Sequence, residues 1–158
     1  MRKFIILYNL NNSERLLFME TIIHLAWARV LKLFPFKKVS PMLGTYMDES
    51  SFQEEFSVYE TVRKISNAIH IISRYTPWES KCLVKAIAGM KMLQRRGINS
   101  TLYLGTAKDE TGKLIAHAWL RSGSYYVSGA EEMNRFTVVS KFSNKKNIEY
   151  EEFTNGDY

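Results

Sequence analysis

Cysteine, proline and histidine are scarce in this chain: its 158 residues include one cysteine, three prolines and three histidines. A single cysteine excludes a disulfide framework and any zinc or iron–sulfur site built from several cysteines. The three histidines show no H-E-x-x-H spacing, which is the metalloprotease pattern. We therefore expect a protein that uses neither a metal ion nor another cofactor.

Long uncharged apolar runs are also missing. The longest apolar stretch, residues 16–34, contains four titratable side chains: Glu20, His24, Arg29 and Lys32. Charges near the centre of a bilayer are costly, so the stretch does not predict a spanning helix. No small-residue cleavage site follows it, which excludes a signal peptide. We expect a cytoplasmic protein whose first helix is mostly buried; docking on a partner or on a membrane surface is the alternative, and membrane association is not required.

Composition and length together predict one globular domain. Apolar residues make up 46% of the chain and charged residues 24%, which fits neither a disordered chain nor a membrane bundle. A length of 158 residues is typical of a single core. We divide this domain into an apolar helix region (1–47), a main body (48–142) and a polar tail (143–158).

The net charge of +6 is unevenly distributed. The balance is +5 in residues 1–47, −5 in 48–60, +8 in 61–108 and −2 in 109–158. The basic residues form no Lys/Arg run and no aromatic stacking platform accompanies them, so we expect no nucleic-acid binding. The same positive field suits an acidic peptide partner.

Three helices are predicted in the first 97 residues. The first is the apolar stretch, which follows N-cap candidates at residues 11–13 and which Pro35 ends. The second follows a capping box formed by Ser51 and Glu54. Its apolar side chains recur at intervals of three and four: Phe52, Phe56, Tyr59, Val62, Ile65, Ile69 and Ile72. The third runs from about Ser80, a plausible N-cap, to residue 96, with a glycine C-cap.

From residue 98 onward the apolar pattern has a period of two, which predicts strands. We expect them at residues 101–104, 114–121, 125–128 and 136–139. The polar, glycine-containing links at 108–112 and 122–123 predict hairpin turns. A further apolar run at residues 3–8 predicts a strand or an extended lead-in. Helices followed by an antiparallel sheet define an α+β fold, with the N-terminal helices packed on the C-terminal sheet.

Cys82 and His117 are the candidate chemical groups. Cys82 falls in the first turn of the third helix, where free N–H groups and the helix dipole favour a thiolate. Ala86 and Gly89 lie below it on the same helix face and are small enough for a strand to pack close. His117 lies in the middle of a predicted strand, on the same face as Trp119. A thiol and an imidazole so placed suit nucleophilic catalysis, although a core cysteine and a merely hydrogen-bonded histidine fit the same spacing.

Four strings in this region resemble leader peptidases of lasso-peptide biosynthesis, small members of the transglutaminase-like, papain-related cysteine hydrolase superfamily. They are PWESKCLVKA at residues 77–86, LQRRGI at 93–98, LYLG at 102–105 and AHAW at 116–119. The apolar first helix closing in LFPF at residues 33–36 is also similar. The resemblance covers roughly residues 14–140 and implies a transglutaminase-like, papain-like catalytic core at 48–142.

The resemblance implies cleavage of a ribosomally made precursor peptide between leader and core. Cys82 would attack the carbonyl carbon of the last leader residue and form a thioester. His117 would protonate the departing amine, and water would release the leader. Backbone N–H groups at the helix start, including that of Cys82, would hold the oxyanion. The implied partners are the precursor peptide, a separate small leader-recognition protein and an ATP-dependent lasso cyclase.

Two other functions fit the same residues. A non-catalytic scaffold of this fold would bind peptide only, and a transglutaminase-type acyl transferase would pass the acyl group to an amine instead of water. Two tryptophans are candidates for substrate contacts. Trp119 would form a wall beside the imidazole and Trp78 would line the substrate groove, while core packing and a hydrophobic staple are the plainer interpretations.

The residue that orients His117 is the point where this sequence departs from the family pattern. The resemblance leads one to expect an aspartate on the next strand. With a two-residue hairpin turn His117 would face Ser128, and with a three-residue turn it would face Gly129. Neither is a carboxylate. We expect Glu131 or Glu132 to replace the aspartate through a bulge after Gly129, with Ser128 or a backbone carbonyl as the alternative.

Overall fold

The computed structural model of the chain describes residues 11–53 and 56–145. The predicted lead-in at residues 3–8 lies outside these ranges. So do Glu54, which is half of the predicted capping box, and residues 146–158 of the predicted tail.

The helices lie in the first two thirds of the described chain. They are α1 (Asn12–Leu31), α2 (Phe36–Val39), α3 (Phe56–Ile72) and α4 (Cys82–Gln94), and a 3₁₀ turn (Ser40–Leu43) follows α2. Asn11 caps α1 as predicted. Its Oδ1 accepts a hydrogen bond from the Glu14 N–H at 2.8 Å, while the Glu14 carboxylate accepts from the Asn11 N–H at 3.1 Å. This reciprocal capping box fixes the start of α1.

The sheet has five strands, and every pair is antiparallel. They are β1 (Thr45–Tyr46), β2 (Ser100–Lys108), β3 (Leu114–Ser122), β4 (Tyr125–Ser128) and β5 (Thr137–Asn144). Their spatial order is β1-β5-β2-β3-β4. Helices combined with this antiparallel sheet confirm the α+β prediction. Because β5 extends to Asn144, the first two residues of the predicted polar tail belong to the sheet.

The hairpin between β3 and β4 differs from the prediction by one residue. Ser122 pairs with Tyr125, so the two loop residues are 123 and 124, not 122 and 123. Gly123 supplies the positive φ, +53°, at the first loop position. A bulge then shifts the register, and Leu120 pairs with Ser128. Both predicted pairings for His117 are therefore wrong, because β4 ends before it reaches that residue.

One face of the sheet packs on α3 and α4 to form the core. A Cβ placed on Gly89 of α4 would lie 2.8 Å from Leu120 Cδ2 and 2.9 Å from Ile69 Cδ1. The glycine therefore lets α4 approach both β3 and α3. The largest fully buried apolar side chains of the core are Leu25, Ile65, Ile69, Met92, Leu93, Leu102, Leu120 and Phe142. Of the predicted face of the second helix, Val62, Ile65, Ile69 and Ile72 are buried as expected.

The first helix is buried on one side only, so the prediction that it is mostly buried is wrong for its other half. Its buried residues are Thr21, His24, Leu25, Ala28 and Leu31, which face α3 and α4. The opposite side is apolar and exposed. Burial ends there because α3 and α4 both lie on the same side of α1. No helix in the described ranges meets the length and hydropathy that a bilayer crossing needs.

Residues 48–53 lie against part of the second face of the sheet. The sequence pattern predicted that some of them belong to the second helix. Phe52 is not helical; its ring lies 3.7 Å from the guanidinium carbon of Arg121. Arg121 is fully buried and donates to the Glu49 carboxylate at 3.2 Å and to the Ser50 carbonyl at 2.8 Å. Its Nε donates to the Tyr103 hydroxyl at 3.0 Å. This buried cation therefore anchors the segment to the sheet.

Candidate active site

Cys82 is the first residue of α4. The predicted N-cap, Ser80, does not cap the helix; its hydroxyl lies 2.9 Å from that of Thr76, and Lys81 occupies the N-cap position without a side-chain bond. The first backbone bond of the helix joins the Lys85 N–H to the Lys81 carbonyl at 3.0 Å. The N–H groups of Cys82 and of the next two residues therefore have no partner within the helix. Such groups can donate to an oxyanion.

The surroundings of the Cys82 thiol are apolar on one side and positive on the other. Cys82 is half-buried and packs against the core. Lys81 interacts with it electrostatically, and a hydrogen bond to Glu79 raises the pKa of Lys81, which keeps that neighbour cationic. The helix dipole adds positive potential at the same point. Within the described ranges, the thiol makes no hydrogen bond.

His117 lies in β3, and its imidazole has a fixed orientation. The Nε2 atom is 2.8 Å from the carbonyl oxygen of Gly129. A carbonyl only accepts hydrogen bonds, so Nε2 carries the proton and the lone pair is on Nδ1. The ring stacks against Phe136, with centroids 4.9 Å apart, and against Trp119 at 5.9 Å. The imidazole is thus held as the tautomer whose Nδ1 can accept a proton.

Gly129 is the residue that this arrangement requires. It follows β4 and begins a 3₁₀ turn (Ala130–Arg135), with φ at +77°. A Cβ at this position would lie 2.4 Å from the Ala118 carbonyl oxygen. Both the backbone conformation and the close approach to β3 therefore need glycine. The sequence signal that could have identified Gly129 is its position directly after the predicted strand at residues 125–128.

The glutamates predicted to orient His117 lie elsewhere, which corrects that expectation. Glu131 Oε1 is 3.7 Å from Nε2 of His70, and Glu132 Oε1 is 3.6 Å from Nη1 of Arg135. The 3₁₀ turn carries both carboxylates away from β3 and leaves them exposed. The Ser128 hydroxyl is buried and has no hydrogen-bond partner among the described residues. Of the alternatives, the backbone carbonyl is the one that meets the imidazole.

The thiol and the imidazole are not hydrogen-bonded to each other in the described structure. Leu120 faces α4, where it contacts Gly89. Side chains alternate along a strand, so His117 and Trp119 project from the other face of β3. Trp119 indeed stacks on Tyr103 of β2, with ring centroids 5.5 Å apart and planes 10° apart. The structure therefore does not bring the two predicted catalytic side chains into direct contact.

The two tryptophans occupy different environments. Trp119 is 5% exposed and lies beside the imidazole, in a row of rings with Tyr103, His117 and Phe136. Trp78 packs against the core at the start of α4, and its indole N–H is buried without a partner among the described residues. Phe136 was missed, because a strand-end phenylalanine gives no sequence sign that it stacks on a histidine.

The described residues contain no group of three or more His, Cys, Asp or Glu side chains that could hold a metal ion. Residues 30–141 match the family model of the transglutaminase-like superfamily. This range includes α4, the first four strands and most of β5. No curated protein and no solved structure shows significant similarity to the chain.

Proposed function

The chain belongs to the transglutaminase-like superfamily, and from this premise we propose that it is a cysteine peptidase that removes the leader from a ribosomally made lasso-peptide precursor. The superfamily includes cysteine peptidases and acyltransferases. In both classes of enzyme a thiol takes the acyl group from the substrate. Our proposal goes beyond the superfamily in two respects: the acyl donor is the leader of a precursor peptide, and the acyl group passes to water.

One observation carries the proposal: the only cysteine of the chain begins an uncapped helix within the matched region. A thiolate there would attack the carbonyl carbon of the last leader residue, while the free N–H groups of the first helical turn bind the oxyanion. One such donor is worth about 10²–10³ in rate. The C–N bond then breaks and leaves the leader as a thioester on Cys82.

The tautomer of His117 suits the remaining proton transfers. Its unprotonated Nδ1 would take the thiol proton and give it to the departing amine of the first core residue. It would then take a proton from the water that hydrolyses the thioester, and the thiol would be regenerated. General acid–base help of this kind contributes about 10²–10⁴ in rate. Because β3 directs His117 away from the face that packs on α4, this proton transfer requires a rearrangement in the substrate complex that brings the imidazole to Cys82.

The substrate assignment is supported by the four strings of the chain that resemble lasso leader peptidases. They contribute the start of α4, its last turn and parts of β2 and β3, which are the elements around the proposed site. We propose that residues 48–142 form the catalytic core. The precursor would be presented by a separate leader-recognition protein, and the freed amine would pass to an ATP-dependent cyclase.

Mass spectrometry of a lasso precursor incubated with this protein and a recognition protein tests the proposal. We expect the unsubstituted protein to cleave the precursor between leader and core. The Cys82→Ala variant should remain folded and should not cleave it. A precursor mass increased by an added amine, in a parallel reaction containing that amine, would support acyl transfer instead. Cleavage by Cys82→Ala at a comparable rate would overturn the role of the thiol.

A non-catalytic scaffold is the second candidate, and one observation favours it. The Cys82 thiol and the His117 imidazole are not hydrogen-bonded, and β3 directs His117 away from the face that packs on α4. A scaffold would bind the precursor and leave it intact, and Cys82→Ala would not change that binding. The same mass spectrometry therefore separates the two candidates.

A further inference from the structure

The strand that carries His117 is paired along its whole length on one side only. On that side β2 pairs with residues 114–121 of β3. On the other side β4 pairs only with residues 120–122. Before residue 120, β3 is therefore an edge of the sheet.

The hairpin between β3 and β4 shows which residues direct their backbone groups toward this edge. Ser122 and Tyr125 close a two-residue loop, and such a pair exchanges both of its backbone hydrogen bonds. Backbone groups alternate in direction along a strand, so every second residue counted back from Ser122 points the same way. These residues are Leu120, Ala118, Ala116 and Leu114. The backbone groups of Ile115 and His117 point toward β2.

Two of these residues have backbone groups that nothing covers. Gly129 screens the Ala118 carbonyl oxygen, since a Cβ on Gly129 would lie 2.4 Å from it. Around Leu114 and Ala116, no described residue outside β2 forms a backbone hydrogen bond with either one. Both are exposed, Leu114 to 67%. We call their outward N–H and C=O groups the free edge.

The free edge selects an extended peptide as its occupant. Its donors and acceptors repeat every two residues, about 6.6 Å apart, and an added strand presents the complementary row. An apolar helix or a lipid surface presents no such row. Residues 114–118 also lack the devices that block edge pairing, which are proline, a bulge and lysine or acidic side chains.

Helix α4 and strand β3 run in the same direction. Gln94, the last residue of α4, and Asn144 line one small cavity, and Asn144 pairs with Ser100 at the start of β2. Five residues earlier in α4, Gly89 contacts Leu120, which pairs with the third residue of β2. The helix therefore runs opposite to β2 and, because β2 and β3 are antiparallel, in the direction of β3.

This direction places the start of α4 level with the free edge. Cys82 lies seven residues before Gly89, which is about 10 Å along a helix. The same distance is about three residues of a strand, and three residues before Leu120 is His117. A peptide on the free edge would therefore run beside His117 at the level of Cys82.

A second copy of this chain is a weaker candidate for the free edge. A stable interface buries at least about 1,000 Å², and two residues with free backbone groups bury far less. A substrate needs only transient binding, and its main chain can pair with a strand edge whatever its sequence. Position and chemistry therefore both favour the peptide on which the site acts.

We propose that the free edge of β3 binds the peptide on which the site acts, as an added strand beside His117. The identity of this peptide rests on the proposed function. The strand addition itself does not, because a non-catalytic scaffold would need the same surface. Main-chain hydrogen bonds would form to the N–H and C=O groups of Leu114 and Ala116.

Hydrogen exchange followed by NMR in the full-length protein tests the free edge. Cys82 is the only cysteine, so a peptide with a thiol can be attached there alone, as a mixed disulfide. The probe is a pentapeptide of alternating threonine and valine, which favour strands, on a triglycine linker that reaches about 10 Å. The control is the same pentapeptide N-methylated at every residue, which cannot donate main-chain hydrogen bonds.

We expect the unmethylated peptide to slow exchange of the Ala116 N–H at least about tenfold relative to the linker alone, and the methylated peptide to leave it within about twofold. The Leu114 N–H should behave like that of Ala116. The N–H groups of Ile115 and His117 should change less, because they already face β2. This alternation distinguishes an added strand from a peptide that only covers the surface.

Two substitutions of one residue locate the binding. Ala116→Pro removes an outward N–H, which an edge strand tolerates, and should abolish the slowing at Leu114. Ala116→Val is the matched control, because it adds bulk but keeps the N–H, and it should retain the slowing. Circular dichroism checks that each variant is folded. If Ala116→Pro does not fold, the comparison of the two peptides decides.

Three results would overturn the proposal. Equal exchange with the two peptides would show that no strand is added. Exchange at Ala116 that is already slow without a peptide, and faster on dilution, would assign the free edge to a second copy. Exchange that is slow at every dilution would assign it to residues of the chain outside the described ranges. A protein that passes this test but leaves the precursor intact would instead lose the peptidase proposal and keep the strand addition.

Discussion

The Nε2–H of His117 donates a hydrogen bond to the carbonyl oxygen of Gly129, and 2.8 Å separate Nε2 from that oxygen. A backbone dipole thus occupies the place where a carboxylate was expected. It fixes one tautomer, with the proton on Nε2, but it carries only a partial charge and stabilises the imidazolium less than an acid would. What orients the histidine is therefore the conformation of one glycine, and substitutions there should have effects that substitutions of the nearby acids do not.

Gly129→Ala should lower both stability and cleavage. Its Cβ would lie 2.4 Å from the Ala118 carbonyl oxygen, at a φ of +77°. Gly112→Ala is the matched control, because Gly112 has a φ of +81° but open space around its Cβ position. We expect a loss of about 1 kcal/mol in the free energy of unfolding for Gly112→Ala from backbone strain alone. Gly129→Ala should lose about 1–3 kcal/mol more. Urea unfolding measures the stability of both variants, and initial rates on a precursor peptide measure their cleavage. Equal losses of stability would show that the close approach of Gly129 to the Ala118 carbonyl does not require glycine.

Glu131→Gln, Glu132→Gln and Ser128→Ala should each keep cleavage within about twofold of the unsubstituted protein. Neither glutamate contacts His117, and the Ser128 hydroxyl makes no hydrogen bond in the described structure. Initial rates on a precursor peptide test this. A loss of about tenfold in one glutamate variant alone, with the fold intact, would show that this acid and not Gly129 orients the imidazole.

The reactivity of Cys82 should depend on His117 and not on His70. His70 is the rival base, because its Nε2 lies 3.7 Å from Glu131 and its buried Nδ1 has no partner among the described residues. Burial, reinforced by Lys85, lowers the pKa of His70. With a precursor peptide bound, we expect His117→Ala to slow formation of the thioester on Cys82 at least about 10²-fold, and His70→Ala to leave that rate within about twofold. The reverse pattern would show that His70, and not His117, is the base that takes the proton of the Cys82 thiol.

Acid should weaken the fold partly through Glu49. Burial alone raises the pKa of this carboxyl, but hydrogen bonds from Lys141 and Tyr103 and the charge of Arg121 outweigh it, so the pKa is lowered. The unfolded chain then binds more protons near pH 4.5 and below. The stabilisation is complete above that pH and is lost as the pH falls through the lowered value. Unfolding free energies should therefore fall less steeply with acid in Glu49→Gln.

At neutral pH the same variant should be less stable by about 1.5–3 kcal/mol, because Arg121 keeps its buried charge but loses an anionic partner. Glu132→Gln is the control, since its carboxylate is 57% exposed and pairs with Arg135 on the surface. Urea unfolding from pH 7 to pH 3 provides both comparisons. If the free energy of unfolding depends on pH in the same way for Glu49→Gln and for the unsubstituted protein, Glu49 does not contribute to the acid sensitivity of the fold.

Cleavage should need the leader-recognition protein. In residues 11–53 and 56–145, the sheet and the helices form the core and the candidate site, and the exposed apolar side of α1 is open to a partner. We expect slow cleavage by the isolated protein and at least about tenfold faster turnover when the partner is added. Steady-state cleavage rates measured with and without the leader-recognition protein test this prediction. The Cys82→Ala variant gives the rate of cleavage that does not depend on the thiol. Equal rates would show that the chain binds the precursor unaided.

The parts of the fold that were predicted correctly depend on local patterns. The start of α1 was predicted from the N-cap candidates at residues 11–13, of which Asn11 is the cap. The buried face of α3 was predicted from the spacing of residues such as Ile65 and Ile69. The register of β3 and β4 was missed because it depends on a bulge at Leu120, which has no sequence sign. The burial of Arg121 was missed because its acceptors lie about seventy residues away along the chain.

The site shows the same division. The position of Cys82 at a helix start followed from the helix signals, although Ser80 does not cap it. The orienting partner of His117 did not follow, because a backbone carbonyl belongs to every residue and only the φ of Gly129 aims this one at the ring. Chemistry that uses side chains can be read from residue type, whereas chemistry that uses the main chain needs the conformation.

The anchoring of residues 48–53 by Arg121 has a consequence for how the protein is made. Glu49 and Arg121 are 72 residues apart, and synthesis proceeds from the N-terminus at about 5–20 residues per second. Glu49 and its neighbours therefore leave the ribosome several seconds before the arginine that will hold them. Through that interval the acidic segment has no buried cation to bind. Its docking through Arg121 therefore cannot begin until β3 has been synthesised.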